Sequence, residues 1–289
     1  MKILKHSLFN LPNIMTASNF ICGIGSVICC FAGRIDFAVL LVFLAMVFDF
    51  LDGFLARLLS ISNNLGKQLD TLADVVSFGL APGIIMMLMI VTYIQGKQTI
   101  FLTDLNAVSF IHYQVISWLN AVFHEIPNDF DASIKYLPFC ALMIPFFSLF
   151  RLAKFNIDER QTDKFIGIPT PLNTLFFLFF PISFILNFEN WGETFTSWYY
   201  FLFNPYFVSA LCIVFPTLLM AEIPLMAMKF KHFRWEGNQF KYILLISSAI
   251  SIPFFIVWSI PIIVLLYLSL SIVENHLPLK PNHEVQSRD

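Results

Sequence analysis

Four aspartates, Asp49, Asp52, Asp70 and Asp74, are the residues whose type and spacing most directly suggest chemistry. Within each pair they lie three or four residues apart, the interval that puts side chains on one face of a helix. Asp49, Asp52, Gly53 and Ala56 form one stripe with Arg57 at its edge, and Gly66, Asp70 and Asp74, with Ser77 beyond, form a second. A polar stretch from Ser60 to Asn64 separates them, so the spacing predicts an antiparallel hairpin whose acidic stripes face each other. Carboxylates ~6 Å apart at an effective dielectric near 20 repel by roughly 2–3 kcal/mol per pair. Protons or divalent cations must neutralise them, and an all-oxygen site suits Mg2+ or Mn2+, with enough charge for two ions. Gly53, Ala56 and Gly66 take bulk off the same faces, which admits either a neighbouring helix or a planar ligand group, and Arg57 can neutralise a phosphate.

The elements that must position these acids are membrane helices. Of the 289 residues, 58% are apolar and 12% charged, against roughly 45–50% and about 25% in soluble domains. One aqueous core cannot absorb so much apolar surface, so the chain reads as an integral membrane protein. A net charge of -2 with scattered Lys and Arg excludes a nucleic-acid partner. The five cysteines lie in apolar runs without a C-x-x-C pair, so neither a disulfide framework nor a zinc site is expected. Eight spans are expected near 15–33, 37–59, 68–94, 136–155, 171–188, 199–226, 240–257 and 259–274, the last two divided at Ser259, Ile260 and Pro261, with one broken helix as the alternative. Lys2, Lys5 and His6 precede the first span without a convincing cleavage site, so that span reads as a retained helix. Fourteen of the 17 Lys and Arg fall on one side of this arrangement, leaving Arg34, Lys97 and Lys135 on the other. The positive-inside rule then puts both termini, and the acidic cluster, on the cytoplasmic side of the inner membrane. The segment 96–134 reads as an external interfacial cap, and 275–289 as a disordered tail. An acid at mid-helix costs about 2.5–3.5 kcal/mol on insertion scales, so four together need a functional reason.

The full pattern, Asp49-x-x-Asp52-Gly53-x-x-Ala56-Arg57, eight residues, then Gly66-x-x-x-Asp70-x-x-x-Asp74, resembles at every position the motif of the CDP-alcohol phosphotransferase family of membrane enzymes. Eight fixed residues coincide by chance at on the order of 1 in 10^10 starting points. Within that family the chain looks most like the membrane-bound phosphatidylserine synthases. That narrower likeness rests on Leu11 to Thr16 with Asn19, on Leu72 to Pro82, and on Arg151 to Asn156 followed by Phe165 to Pro171. It covers about residues 8–230 and is least through 96–134.

The resemblance implies an all-α integral membrane protein, with a six-helix CDP-alcohol phosphotransferase core and about two additional C-terminal transmembrane helices. The expected division is 1–230 for the core, 231–274 for an additional hairpin and 275–289 for the tail. It implies transfer of a phosphatidyl group from CDP-diacylglycerol to the hydroxyl of L-serine, with release of CMP, among membrane lipids and in a homodimer. In the roles carried over, Asp49, Asp52, Asp70 and Asp74 hold two divalent ions, Mg2+ or Mn2+, and Asp74 completes the metal shell or acts as general base. Asn13, Thr16, Gly53, Ala56, Arg57, Gly66 and Lys67 contact the nucleotide or donor phosphates. Arg151 and Lys154 meet the serine carboxylate, with Asn156 and Ser77 beside them, although basic residues at a helix end also serve as topology anchors. Two rivals remain: the same donor with glycerol 3-phosphate or an inositol compound, and an ion-coupled transporter, whose acids belong near the bilayer midplane. The last two helices receive no chemistry.

Overall fold

A computed structural model describes residues 9–60, 64–95, 107–124, 134–157, 165–186, 201–226, 235 and 238–276. The described chain is helical apart from one two-residue strand pair, and it is an all-α integral membrane protein. Five helical stretches are long and apolar enough to cross a membrane, and two shorter apolar helices accompany them. The chain divides into two compact units, Met1–Ile157 with Pro169–Met220, and Asp158–Ile168 with Ala221–Asp289.

The first unit begins with α1, Leu11–Phe31. Asn10 caps it, its Oδ1 accepting from the Asn13 amide at 2.9 Å, and Pro12 sits in the first turn, where no amide donor is needed. Gly33, at φ 72, makes the tight connection to α2, Ile35–Leu58. The acidic stripe of α2 lies toward its far end, and α3, Asn64–Asp74, returns from it. Gly66 and Lys67 are therefore helical, because α3 starts four residues before the expected position of 68.

Directly after Asp74 the helix widens into a π-helical stretch, Val75–Leu80, before resuming as α4, Ala81–Gln95. The Ala81 amide reaches back five residues to the Val76 carbonyl. Pro82 has no amide hydrogen to offer the carbonyl four residues earlier. That carbonyl, of Phe78, accepts the Thr174 hydroxyl at 2.8 Å instead. The span 64–94 is the most buried of the long ones. Along α4, Ile85, Leu88, Met89, Ile90 and Val91 are all fully enclosed.

Around α4 pack α1, α2, α5 (Ala107–Leu119), α6 (Met143–Ile157), α7 (Thr170–Leu186) and α8 (Pro205–Thr217). Aromatic contacts fill the gaps: Tyr93 meets Phe184 and Phe203, and Phe176 stacks on Phe215 at 3.9 Å. The segment expected as an interfacial cap thus contains α5, which buries Ile111, Val115 and Trp118. The indole of Trp118 donates to the Lys135 carbonyl at 2.9 Å.

The second unit is built on α9, Gln239–Phe255, and α10, Ser259–His276, which pack against each other. Their turn lies at Ile256–Trp258, with Ile256 at φ 46, earlier than the expected division at Ser259 to Pro261. Pro261 falls in the first turn of α10, where its missing amide leaves nothing unpaired. Strands β1, Phe165–Ile166, and β2, Pro224–Leu225, pair antiparallel with Phe165 opposite Leu225. This pairing groups 165–168 and 221–226 with the last two helices. α10 holds the pair by the Tyr267 hydroxyl on the Met226 carbonyl (3.0 Å), the Met226 amide on Ser271 Oγ (3.2 Å), and Asn275 on the Pro224 carbonyl. Of the expected tail, 275–289, the first two residues belong to α10, and 277–289 lie outside those described.

These bonds predict that a Tyr267→Phe, Asn275→Ala double variant speeds amide exchange at Met226, and at Gly167, whose amide donates to the Ile223 carbonyl at 2.9 Å, by about tenfold while α1 and α2 amides keep their rates. Hydrogen-exchange mass spectrometry of the purified chain reads both regions at once.

Candidate active site

All the site residues expected from sequence lie in the first unit. One carboxylate oxygen from each of Asp49, Asp70 and Asp74 falls within 4.8 Å of the other two. Asp49 comes from α2, and the two others from α3 one helical turn apart. Asp52, a turn beyond Asp49, is buried and accepts the Thr16 hydroxyl of α1 at 2.6 Å. It remains within electrostatic range of Asp70 and Asp74. The hairpin therefore brings all four acids to one locality, three of them converging and the fourth held from α1.

The donor set is all oxygen, which fits a hard divalent cation. Asp70 Oδ1 is buried with no hydrogen-bond partner, so that acceptor has unused capacity at the cluster. An oxygen acceptor of this kind is costly to bury unless something donates or coordinates to it.

The remaining candidates divide by what their side chains touch. A Cβ built on Gly53 meets nothing within 4 Å, so this glycine opens space beside Asp52 instead of admitting a helix. Ala56 and Gly66 are half-buried on the same two helices, and Arg57 is exposed in the last turn of α2. Asn13 and Thr16 are buried on α1. Lys67 is exposed and donates to the Asn156 main-chain carbonyl at 3.1 Å. The Asn156 amide in turn donates to Thr71 Oγ1 at 2.7 Å, so the end of α6 is latched to α3 one residue from Asp70.

Arg151 is buried at 6% exposure, lies over the Phe155 ring at 4.6 Å and interacts electrostatically with Asp74. Lys154 is half-buried one turn farther along. Ser77, expected beside the serine, faces α1 beyond Asp74. It is fully buried in the π-helical stretch, and its hydroxyl goes to the Asn19 carbonyl at 2.9 Å. A Cβ on Gly23 would lie 2.5 Å from Ser77 Oγ and 3.0 Å from its Cα, so Ser77 packs against α1 and is closed to a small ligand.

Two polar residues had no site role in the sequence reading, although Asn19 was among those that carry the family likeness. Asn19 donates to Asp74 Oδ1 at 3.2 Å, and Thr71 receives Asn156. The signal for Asn19 was present, since an amide inside an apolar span requires a polar partner. Thr71 offered no such signal, because it is half-exposed next to an acid.

The family model of the CDP-alcohol phosphatidyltransferases matches residues 9–228, which contain the whole cluster and the α6 residues. The chain belongs to this family. Among relatives, the CDP-diacylglycerol–serine O-phosphatidyltransferase of Bacillus subtilis is 30% identical over 165 residues, covering 56% of this chain and 69% of the relative. The same-named protein of Helicobacter pylori (strain J99 / ATCC 700824) is 31% identical over 166 residues, 57% of this chain and 54% of the relative. That of Saccharomyces cerevisiae is 40% identical over 91 residues, 30% of each. The chain thus spans about half the length of the Helicobacter relative and less of the yeast one.

Two glycines of the family core make a paired prediction. Gly23→Ala overpacks the α1 contact with Ser77 and lowers stability by about 1–3 kcal/mol, read as a fall in melting temperature of the purified chain. Gly53→Ala meets no atom of the protein and holds or raises the melting temperature, since alanine favours the helix by about 1 kcal/mol.

Proposed function

We propose that the chain transfers the phosphatidyl group of CDP-diacylglycerol to the hydroxyl of L-serine, forming phosphatidylserine and CMP. The observation that carries this reading is the convergence of Asp49, Asp70 and Asp74 beside a buried arginine, in a chain whose relatives are named for that reaction. Asp49, Asp52, Asp70 and Asp74 would hold divalent cations, Mg2+ or Mn2+, and four carboxylates balance the charge of two such ions. Ions bound there would neutralise the diphosphate oxygens of the donor and the charge that develops on departing CMP.

The chain's own residues supply the rest. Gly53, Ala56 and Gly66 leave the backbones of α2 and α3 open to the nucleotide. Arg57 and Lys67, exposed at the same end, can meet phosphate oxygens. Asn13 and Thr16 line the α1 side, and Thr16 fixes Asp52. Arg151, with Lys154 beyond it, takes the serine carboxylate and so brings the serine hydroxyl toward Asp74. Asp74 accepts the hydroxyl proton as the serine oxygen bonds to the phosphorus bearing diacylglycerol. The bond from that phosphorus to the bridging oxygen breaks, and CMP leaves with the electron pair. Asn156 acts in this scheme by latching α6 to α3, and Ser77 by packing α1.

The acceptor side favours serine over a phosphate-bearing alcohol. Among the described residues, Arg151 is the buried cation facing Asp74, and a phosphate dianion asks for more positive charge than one guanidinium. The transporter reading has no comparable support from the relatives. The lysine and arginine bias puts the site and both termini at the cytoplasmic face of the inner membrane. The core and the C-terminal hairpin serve as separate parts, and a homodimer is the proposed assembly.

Purified protein given CDP-diacylglycerol, Mn2+ or Mg2+ and labelled serine should yield phosphatidylserine and an equal amount of CMP; no CMP release with any small alcohol overturns the enzyme reading. Asp74→Asn should lower turnover by about 10^2–10^4-fold with donor binding retained. Arg151→Ala should raise the serine KM by about tenfold or more and the donor KM far less. Equal effects on both would assign Arg151 to the diphosphate.

A further inference from the structure

Asn19 lies in the middle of α1, among Phe20, Ile21 and Ile24, and is completely buried. Its side-chain amide donates to Asp74 Oδ1. Its own Oδ1 is buried without a partner. A residue kept only to fill this space would do better as leucine, which has a similar shape and no polar atom to strand. The part of Asn19 that finds a partner is the N–H donor, and that partner is Asp74.

The position of the amide is set by the backbone. The Asn19 carbonyl accepts the Ser77 hydroxyl at 2.9 Å, and Ser77 lies three residues beyond Asp74 in the π-helical stretch. Gly23, one turn after Asn19, lets α1 come within contact of the Ser77 backbone. Two hydrogen bonds and a close helix approach thus fix the register of Asn19 against Asp74. Asp74 needs such a restraint, because Asp49 and Asp70 share its space and like charges drive it outward.

We propose that Asn19 is the positioning residue for Asp74: its amide pins one carboxylate oxygen and leaves the other aimed at the acceptor hydroxyl. This rests on the reaction proposed above and adds a residue to which that account gave no part. Asn19 does not touch substrate in this role. It acts on the step in which Asp74 takes the proton, and leaves the grip on the donor unchanged.

The test compares full-length wild type with Asn19→Leu, Asn19→Ala and Ser77→Ala, measuring kcat, both KM values, and CDP binding with Mn2+ in the absence of serine. Asn19→Leu should lower kcat by about tenfold to a hundredfold, as a misaimed group does, with the donor KM and CDP affinity within about twofold of wild type. Asn19→Ala should do the same and covers the case in which leucine disturbs folding. Ser77→Ala keeps the amide and should retain a higher kcat than Asn19→Leu. Wild-type kcat in both Asn19 variants overturns the proposal, as does a loss of donor affinity equal to the loss of kcat. Ser77→Ala as damaging as Asn19→Leu also overturns it, because packing would then explain both. A wild-type chain inert toward serine overturns the assigned reaction and this proposal with it, whereas an active wild type beside fully active Asn19 variants removes the positioning role alone.

Discussion

Three carboxylates held within 4.8 Å of one another are the arrangement on which the rest of this fold depends. At that distance and an effective dielectric near 20, each charged pair repels by about 3 kcal/mol. Packing alone gives no reason to gather them, so the surrounding helices must hold them in place. The span that carries Asp70 and Asp74 is also the most enclosed of the long ones, with six helices packed on its α4 half. A helix at the centre of a bundle cannot tilt or rotate without disturbing every neighbour. Asp70 and Asp74 are therefore fixed by the element with the least freedom to move, and Asp49 is brought to them from α2.

The first helix holds the cluster by inverting the usual pattern. Its buried face carries Asn13, Thr16, Asn19, Gly23 and Ser26, while Phe20, Ile21, Ile24 and Ile28 are exposed. In a bilayer this is the stable choice, since lipid is as apolar as the core and association relies on small residues and hydrogen bonds. Thr16 serves Asp52, Asn19 serves Asp74, and the Ser26 hydroxyl donates to the Ala38 carbonyl of α2 at 2.9 Å. One polar stripe thus ties α1 to both halves of the acidic hairpin.

The acids were legible in the sequence because their partnership depends on local spacing. Intervals of three and four residues put Asp49 near Asp52 and Asp70 near Asp74 on any helix, and the short link brings the pairs together. The packing of Ser77 was not legible, because it depends on the π-helical stretch and on the close approach of α1. The π-helical turn depends on Pro82 and on Thr174, a residue almost a hundred positions away whose hydroxyl takes the Phe78 carbonyl. No local pattern reveals such a donor. The β1–β2 pair was equally hidden, since two-residue strands have no periodicity, and it gives the last helix a structural task. At Pro261 the error was chemical: proline was read as the turn itself, whereas the first turn of a helix accepts it freely.

The latch between α6 and α3 has a consequence for how such a site changes its acceptor. Asn156 reaches Thr71, and Lys67 reaches the Asn156 carbonyl, so the end of α6 is tied to the helix that carries Asp70 and Asp74. Neither contact uses an atom of the acids. On the proposed reaction, the α6 residues assigned to the acceptor, Arg151 first among them, can therefore differ while the latch keeps the helix at its distance from the cluster. The proposed reaction would then divide recognition between helices, with α2 and α3 for the diphosphate and α6 for the alcohol. A buried arginine near Asp74 also neutralises part of the cluster's charge, so exchanging it for a neutral residue affects the acids as well as the acceptor. On this account the charge of α6 at residue 151 is constrained by the cluster, and the freedom to select alcohols lies in the half-buried turn beyond it, at Lys154.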